Sequence, residues 1–209
     1  MTMPDLTLRP MGPTTVLVET GGRDPVAVAE AIRTMFGAQV TDLIPAAQTV
    51  VVRCAGEIAH DALFCDDLAK VVASVPSGPP SASGRLVEIP VVYDGEDLGY
   101  VADATGLTVQ ELVDAHTAVG HRAAFCGFAA GFAYLEVGDQ RLTIARRSTP
   151  RHRVPIGSVA LAAGYTAVYP VASPGGWHLI GRTEARMWDP HRERPSLIEP
   201  GDVVRFVAR

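Results

Sequence analysis

Five arginines, Arg141, Arg146, Arg147, Arg151 and Arg153, fall within thirteen residues of a chain whose formal net charge is −5. Guanidinium forks match carboxylate and phosphate oxygens, and crowding them costs repulsion unless an anion or a partner lies nearby. The cluster therefore reads either as a solvated face or as a wall that binds anions. Two glycine-rich segments flank it. Gly127, Phe128, Gly131, Phe132 and Tyr134 belong to GFAAGFAYL, which suits a strand turning a corner or a backbone-lined wall with apolar rings. Pro174, Gly175, Gly176 and Trp177, followed by Arg182, belong to SPGGWHLIGRT, which suits a hairpin corner or a loop whose amides face an oxyanion. His116 is either a general base or a helix-end residue capping its own last carbonyls.

Other chemistries are excluded by what is missing. The sequence has no Walker phosphate loop, no G-x-S-x-G elbow and no H-E-x-x-H pair. Cys54, Cys65 and Cys126 are odd in number and widely spaced, so neither a zinc site nor a disulfide framework is expected, and no protein-bound metal is predicted. The acidic balance argues against nucleic-acid binding. No secretory signal is read at the start, and the most apolar run, 159–172, is too short and interrupted to span a bilayer. A cytoplasmic protein without membrane contact is the expectation.

The elements that must position these residues can be read from periodicity. The segment VPSGPPSASG predicts a linker over 76–84 between an α+β domain at 1–75 and a β-rich domain at 85–209. In the first, strands are expected over 15–19, 40–44 and 49–54. One helix opens at Asp24-Pro25 and closes at Gly37, and a second covers 58–74. In the second, a strand spans 86–93, and Thr108 with Glu111 makes a capping box for a single short helix ending near His116. Short strands follow, with Pro200-Gly201-Asp202 turning into the last one, as in a barrel or compact sandwich.

Taken together, His116, GFAAGFAYL, ARRSTPR, VPIGSVAL, VYP, SPGGWHLIGRT and PGDVVRF resemble the family of B-type 5-oxoprolinase subunits, also catalogued as allophanate hydrolase subunit 1 or KipI-like. The segments IPVVY with GEDL, at 95–98, and VTDLIPAAQTVVVR are similar too, so the resemblance covers nearly the whole chain. It implies an α+β fold in which a small N-terminal α/β sandwich precedes a cyclophilin-like β-barrel that carries the site. It also implies a subunit of an ATP-dependent enzyme, with Mg²⁺ arriving with the nucleotide, that hydrolyses the lactam of 5-oxo-L-proline to L-glutamate. Its partners would be a homologous C-type subunit, similar to allophanate hydrolase subunit 2, and an A-type subunit, and the chain alone would be inactive. Within that picture His116, Arg147 and Arg151 are the expected catalytic residues. Arg146, Arg182 and the glycine and aromatic residues named above are the expected binding residues. Inhibition of a sensor histidine kinase and a role related to urea amidolyase are the alternatives. The chain departs from the family at Ala130, usually proline, and at His121, near which tyrosine is usual.

Overall fold

The computed structural model describes residues 7–78 and 84–209, and these two stretches fall in separate compact units. Residues 79–83 of the expected linker lie outside the described residues. In the first unit β1 (Leu8–Pro10), β2 (Thr15–Glu19), β3 (Val40–Pro45) and β4 (Thr49–Cys54) form an antiparallel sheet in the order β1-β2-β4-β3. Val16 and Val18 on β2, with Val50 and Val52 on β4, alternate inward and are fully buried. They meet the apolar stripes of α1 (Pro25–Phe36) and α2 (Ala62–Ser74), where Phe36 and Phe64 pack edge to face. The opening of α1 follows the sequence: the Asp24 carboxylate accepts from the Val26 amide, and Pro25 takes the first helical position. The second helix starts at Ala62 rather than Ile58, because the Asp61 carboxylate accepts from the Phe64 amide and caps it there.

The second unit contains β5 (Leu86–Val91), α3 (Leu98–Thr105), α4 (Val109–Ala118), β6 (His121–Cys126), β7 (Ala133–Glu136), β8 (Arg151–Val154), β9 (Ser158–Ala162), β10 (Tyr165–Val168), β11 (Ser173–Gly175), β12 (His178–Arg182) and β13 (Val203–Ala208). Seven strands form one sheet in the order β12-β9-β10-β7-β6-β13-β5. Its two edges are joined where Val92 and Arg182 exchange both backbone hydrogen bonds at 2.9 Å, so the sheet is nearly closed. The seam runs tight. A Cβ on Gly181 would sit 2.6 Å from the Val92 carbonyl oxygen, and one on Gly95 would collide with the Leu179 backbone.

Every residue of β9 is buried because both of its faces are covered. Val159 and Leu161 point into the barrel core with Ile89, Leu135, Ile180 and Phe206. Ala160 and Ala162 point outward into a second cluster with Phe132, Val154, Tyr169 and Trp177. The α+β class, with a small sandwich followed by a cyclophilin-like barrel, is as expected, but two details differ. There are two helices between β5 and β6 rather than one: α3 was hidden because Asp97, at its N-cap, spends its carboxylate elsewhere and makes no side-chain cap. And Ser173–Gly175 is not a free turn, since it pairs with β8 as a two-stranded ladder. Among the described residues no helix is long and apolar enough to cross a membrane.

Candidate functional site

The arginine cluster is organised by a carboxylate far from it in sequence. Asp97 lies between β5 and α3 and is 6% exposed. Its Oδ1 accepts from Arg147 Nη1 and Arg151 Nη2, both at 2.8 Å, and its Oδ2 accepts from the Leu179 amide at 2.7 Å. Burial alone would raise the Asp97 pKa, but the Arg151 and Leu179 hydrogen bonds and the Arg147 charge outweigh it and hold the carboxyl below its usual range. Arg151 also pairs through Nε with Glu96 at 2.7 Å and donates through Nη1 to the Trp177 carbonyl. All three of its nitrogens are thus engaged within the protein, which makes Arg151 a brace. Arg147 is held by Asp97 at one nitrogen, and its amide donates to the Gly176 carbonyl at 2.8 Å. Arg146 is exposed, with its guanidinium 6.0 Å from the centre of the Trp177 ring.

The glycine-aromatic segment divides between a core and a rim. Phe132 and Trp177 are buried with Tyr169 as a set of edge-to-face rings, so they support the wall from behind rather than line it. Tyr134 is half-buried against both. Phe128 stands 62% exposed at the tip of the β6–β7 turn, where it adopts φ 70°, and Gly131 adopts φ 82°. The Gly127 amide donates to the Phe132 carbonyl, closing that turn, so it is not free for an oxyanion. Pro174 is exposed, and Gly175 and Gly176 run beside Tyr169 and Arg147.

His116 is placed differently from what a general base requires. It is fully buried in the barrel, stacked on Phe206, with Nδ1 2.7 Å from the Tyr93 hydroxyl and Nε2 2.9 Å from the Thr166 hydroxyl. Burial first, and His121 second, hold its pKa well below the ordinary 6.5. His121, beside it, accepts from the Gly138 amide at Nδ1 and donates through Nε2 to the His116 carbonyl at 2.8 Å. The structure therefore does not bring His116 to the arginines: its neighbours are Tyr93, Thr166, His121 and Phe206.

Arg182 also stands apart from Arg147 and Arg151. At the end of β12 it pairs with Asp94 at 2.9 Å and opens onto a cleft of about 950 Å³. Ile156, Tyr169, Arg186, Trp188 and Arg209 line the same cleft. Asp97, Arg186 and Trp188 are the residues sequence reasoning missed, and so is His178. The His178 ring stacks on Tyr100, and its Nε2 donates to the Ala145 carbonyl at 3.0 Å; its buried Nδ1 is left without a hydrogen-bond partner. A histidine inside SPGGWHLIGRT was a visible signal; Asp97 lay in the family-like segment GEDL, but its role was not legible there, because its partners lie fifty or more residues away. Among the described residues no group of three or more His, Cys, Asp or Glu side chains could hold a metal ion.

Residues 6–198 match the family described as carboxyltransferase domain, subdomain C and D. The chain belongs to that family. It is 47% identical over 126 residues to the B-type 5-oxoprolinase subunit of Escherichia coli O157:H7, covering 59% of this chain and 58% of that protein. It is thus similar to a protein of which it spans little more than half the length. Among solved structures, the protein TTHA0988 superposes with a TM-score of 0.75 at 33% identity over 97% of this chain and 40% of that one. The urea carboxylase of Kluyveromyces lactis superposes at 0.73 over 99% of this chain and 22% of that one, and at 17% identity it shares the fold. The near-closed barrel and the sandwich before it are therefore features of the carboxyltransferase C and D family.

Proposed function

We propose that this carboxyltransferase C and D chain is a subunit of an ATP-dependent 5-oxoprolinase, acting with a C-type and an A-type subunit and inactive alone. The observation that carries the reading is the 47% identity to a protein named as the B-type subunit of 5-oxoprolinase. In the net reaction the lactam C–N bond breaks, its nitrogen leaves as the free amine, and water supplies the new carboxylate oxygen. ATP supplies the phosphoryl group that makes the resonance-stabilised lactam carbonyl electrophilic, and ADP and phosphate leave.

The chain's own residues suit the anions of that reaction. Arg146 and Arg147 orient the substrate carboxylate on the Trp177 side, and Arg182 offers a third guanidinium, at the cleft. Asp97 and Arg151 hold Arg147 and the Gly176–Trp177 backbone in place. His116 keeps the barrel beneath them in register rather than meeting substrate. Magnesium would enter with the nucleotide.

The test is 5-oxoproline-dependent release of phosphate and glutamate by this chain alone, and then with A- and C-type subunits added. Turnover only in the full set is expected. Silence in a verified, folded assembly overturns the reading, and retention of a histidine kinase by the chain would move it to inhibition.

A further inference from the structure

The cleft beside Arg182 has a size and lining that a small lactam does not explain. Its volume of about 950 Å³ is at the upper end of the roughly 300–1,000 Å³ typical of ligand sites, far more than one five-membered ring fills. Three guanidiniums, from Arg182, Arg186 and Arg209, line it against one side-chain carboxylate, Glu184, in a protein that is acidic overall. Concave, low-dielectric walls concentrate such a field on a multiply charged anion. Arg182 and Arg186 are paired only with surface carboxylates, Asp94 and Asp189, and both arginines are about two-thirds exposed. Exposed pairs of this kind are worth little and give way to a phosphate.

The remainder of the lining is flat and apolar. Trp188 presents 40% of its surface and Ile156 68%, with Tyr169 behind them. The root of that side chain is packed: a Cβ on Gly131 would lie 2.9 Å from Trp188 Cβ, so the β6–β7 turn sits close against the Trp188 backbone and Cβ. Arg192 donates to the Arg186 carbonyl at 2.9 Å and steadies the other wall. A row of cations beside an exposed indole matches a ligand with several anionic oxygens at one end and a planar ring at the other. We infer that this cleft is a nucleoside polyphosphate site, with Arg182 and Arg186 on the phosphates and Trp188 under the base. The inference rests on the ATP-dependent reading above only for the choice of nucleotide, and it assigns that nucleotide to this subunit.

Binding can be read without turnover. The chain has two tryptophans, of which Trp177 is buried and Trp188 exposed, so quenching reports the cleft. The intact chain is titrated with magnesium-ATP, inorganic tripolyphosphate, adenosine and 5-oxoproline. ATP is expected to quench and to weaken as salt rises; tripolyphosphate should displace it, and adenosine should bind far more weakly. Arg182→Gln and Arg186→Gln should each weaken ATP by at least about tenfold, whereas Arg33→Gln, which removes one exposed charge from the first unit, should not. Trp188→Phe should abolish the quench while calorimetry still detects ATP. Thermal melts of each variant separate lost binding from lost fold. No ATP binding at millimolar concentration, unchanged affinity in both arginine variants, or 5-oxoproline binding in place of ATP overturns the inference. Turnover by the assembly with no nucleotide bound to this chain sinks the inference and spares the proposed function. ATP binding with a silent assembly does the reverse.

Discussion

Asp97 shows how a single side chain can decide what its neighbours are able to do. With its carboxylate ionised, two guanidiniums and one strand amide share a single anchor. Asp97→Asn should keep the shape but leave Arg147 and Arg151 without their countercharge, a loss of about 3 kcal/mol in line with breaking a buried pair. Urea unfolding of the variant checks this, and a change below the error of the fit would count against the anchor. The buried histidines predict a second effect. Because burial, then His121, lowers the His116 pKa below its unfolded 6.5, the unfolded chain binds protons more readily than the folded one below that pH. His121 shifts the same way, again mainly by burial. Stability from these groups is complete above pH 6.5 and falls as the pH drops below it, by up to roughly 1.4 kcal/mol per pH unit per histidine. Melting temperatures taken from neutral pH down into the mildly acidic range should decline in the wild type and decline less in His116→Gln; identical slopes would refute the assignment. The arginines were legible as a cluster because they crowd together in sequence. Which of them are braced was not, since Asp97 is joined to them only by the fold.

At the scale of elements, the capping signals were the most reliable guide. Thr108 and Glu111 form both bonds of the capping box and Asp24 caps α1, as read, whereas the Asp61 cap of α2 was passed over and its start placed at Ile58. These signals are local, so no tertiary information is needed to read them. The helix α3 escaped because its N-cap residue is diverted to the arginines, and β11 escaped because Pro-Gly-Gly is turn chemistry that here pairs with β8. The seam between β5 and β12 gives the clearest test at this scale. Gly181→Ala forces a methyl against the Val92 carbonyl, where neither backbone can retreat without opening the barrel. A loss of about 2 kcal/mol is expected, read from the thermal melt, together with faster amide exchange at Val92 and Arg182. Unchanged exchange there would mean the sheet tolerates an open seam.

For the molecule as a whole, the sequence conveyed the class and the order of its parts, because composition, alternation and family motifs all point the same way. It could not convey the cleft, whose lining comes from strand ends and loops between residues 90 and 209. Each hydrophobic core is drawn from a single unit, one from Val16 to Val75 and the others from Ile89 to Phe206. A fragment of residues 84–209 should therefore melt cooperatively on its own; a non-cooperative, dye-binding collapse would show that the first unit is required. One feature of the barrel also bears on how the protein is made. Strand β13 sits between β5 and β6, pairing in parallel with a strand 117 residues upstream. Ribosomes add about 5–20 residues per second, so β5 waits on the order of ten seconds for its neighbour to be translated. A nascent chain paused before Val203 carries two bare strand edges, and its quality in the cell depends on what shields them until then.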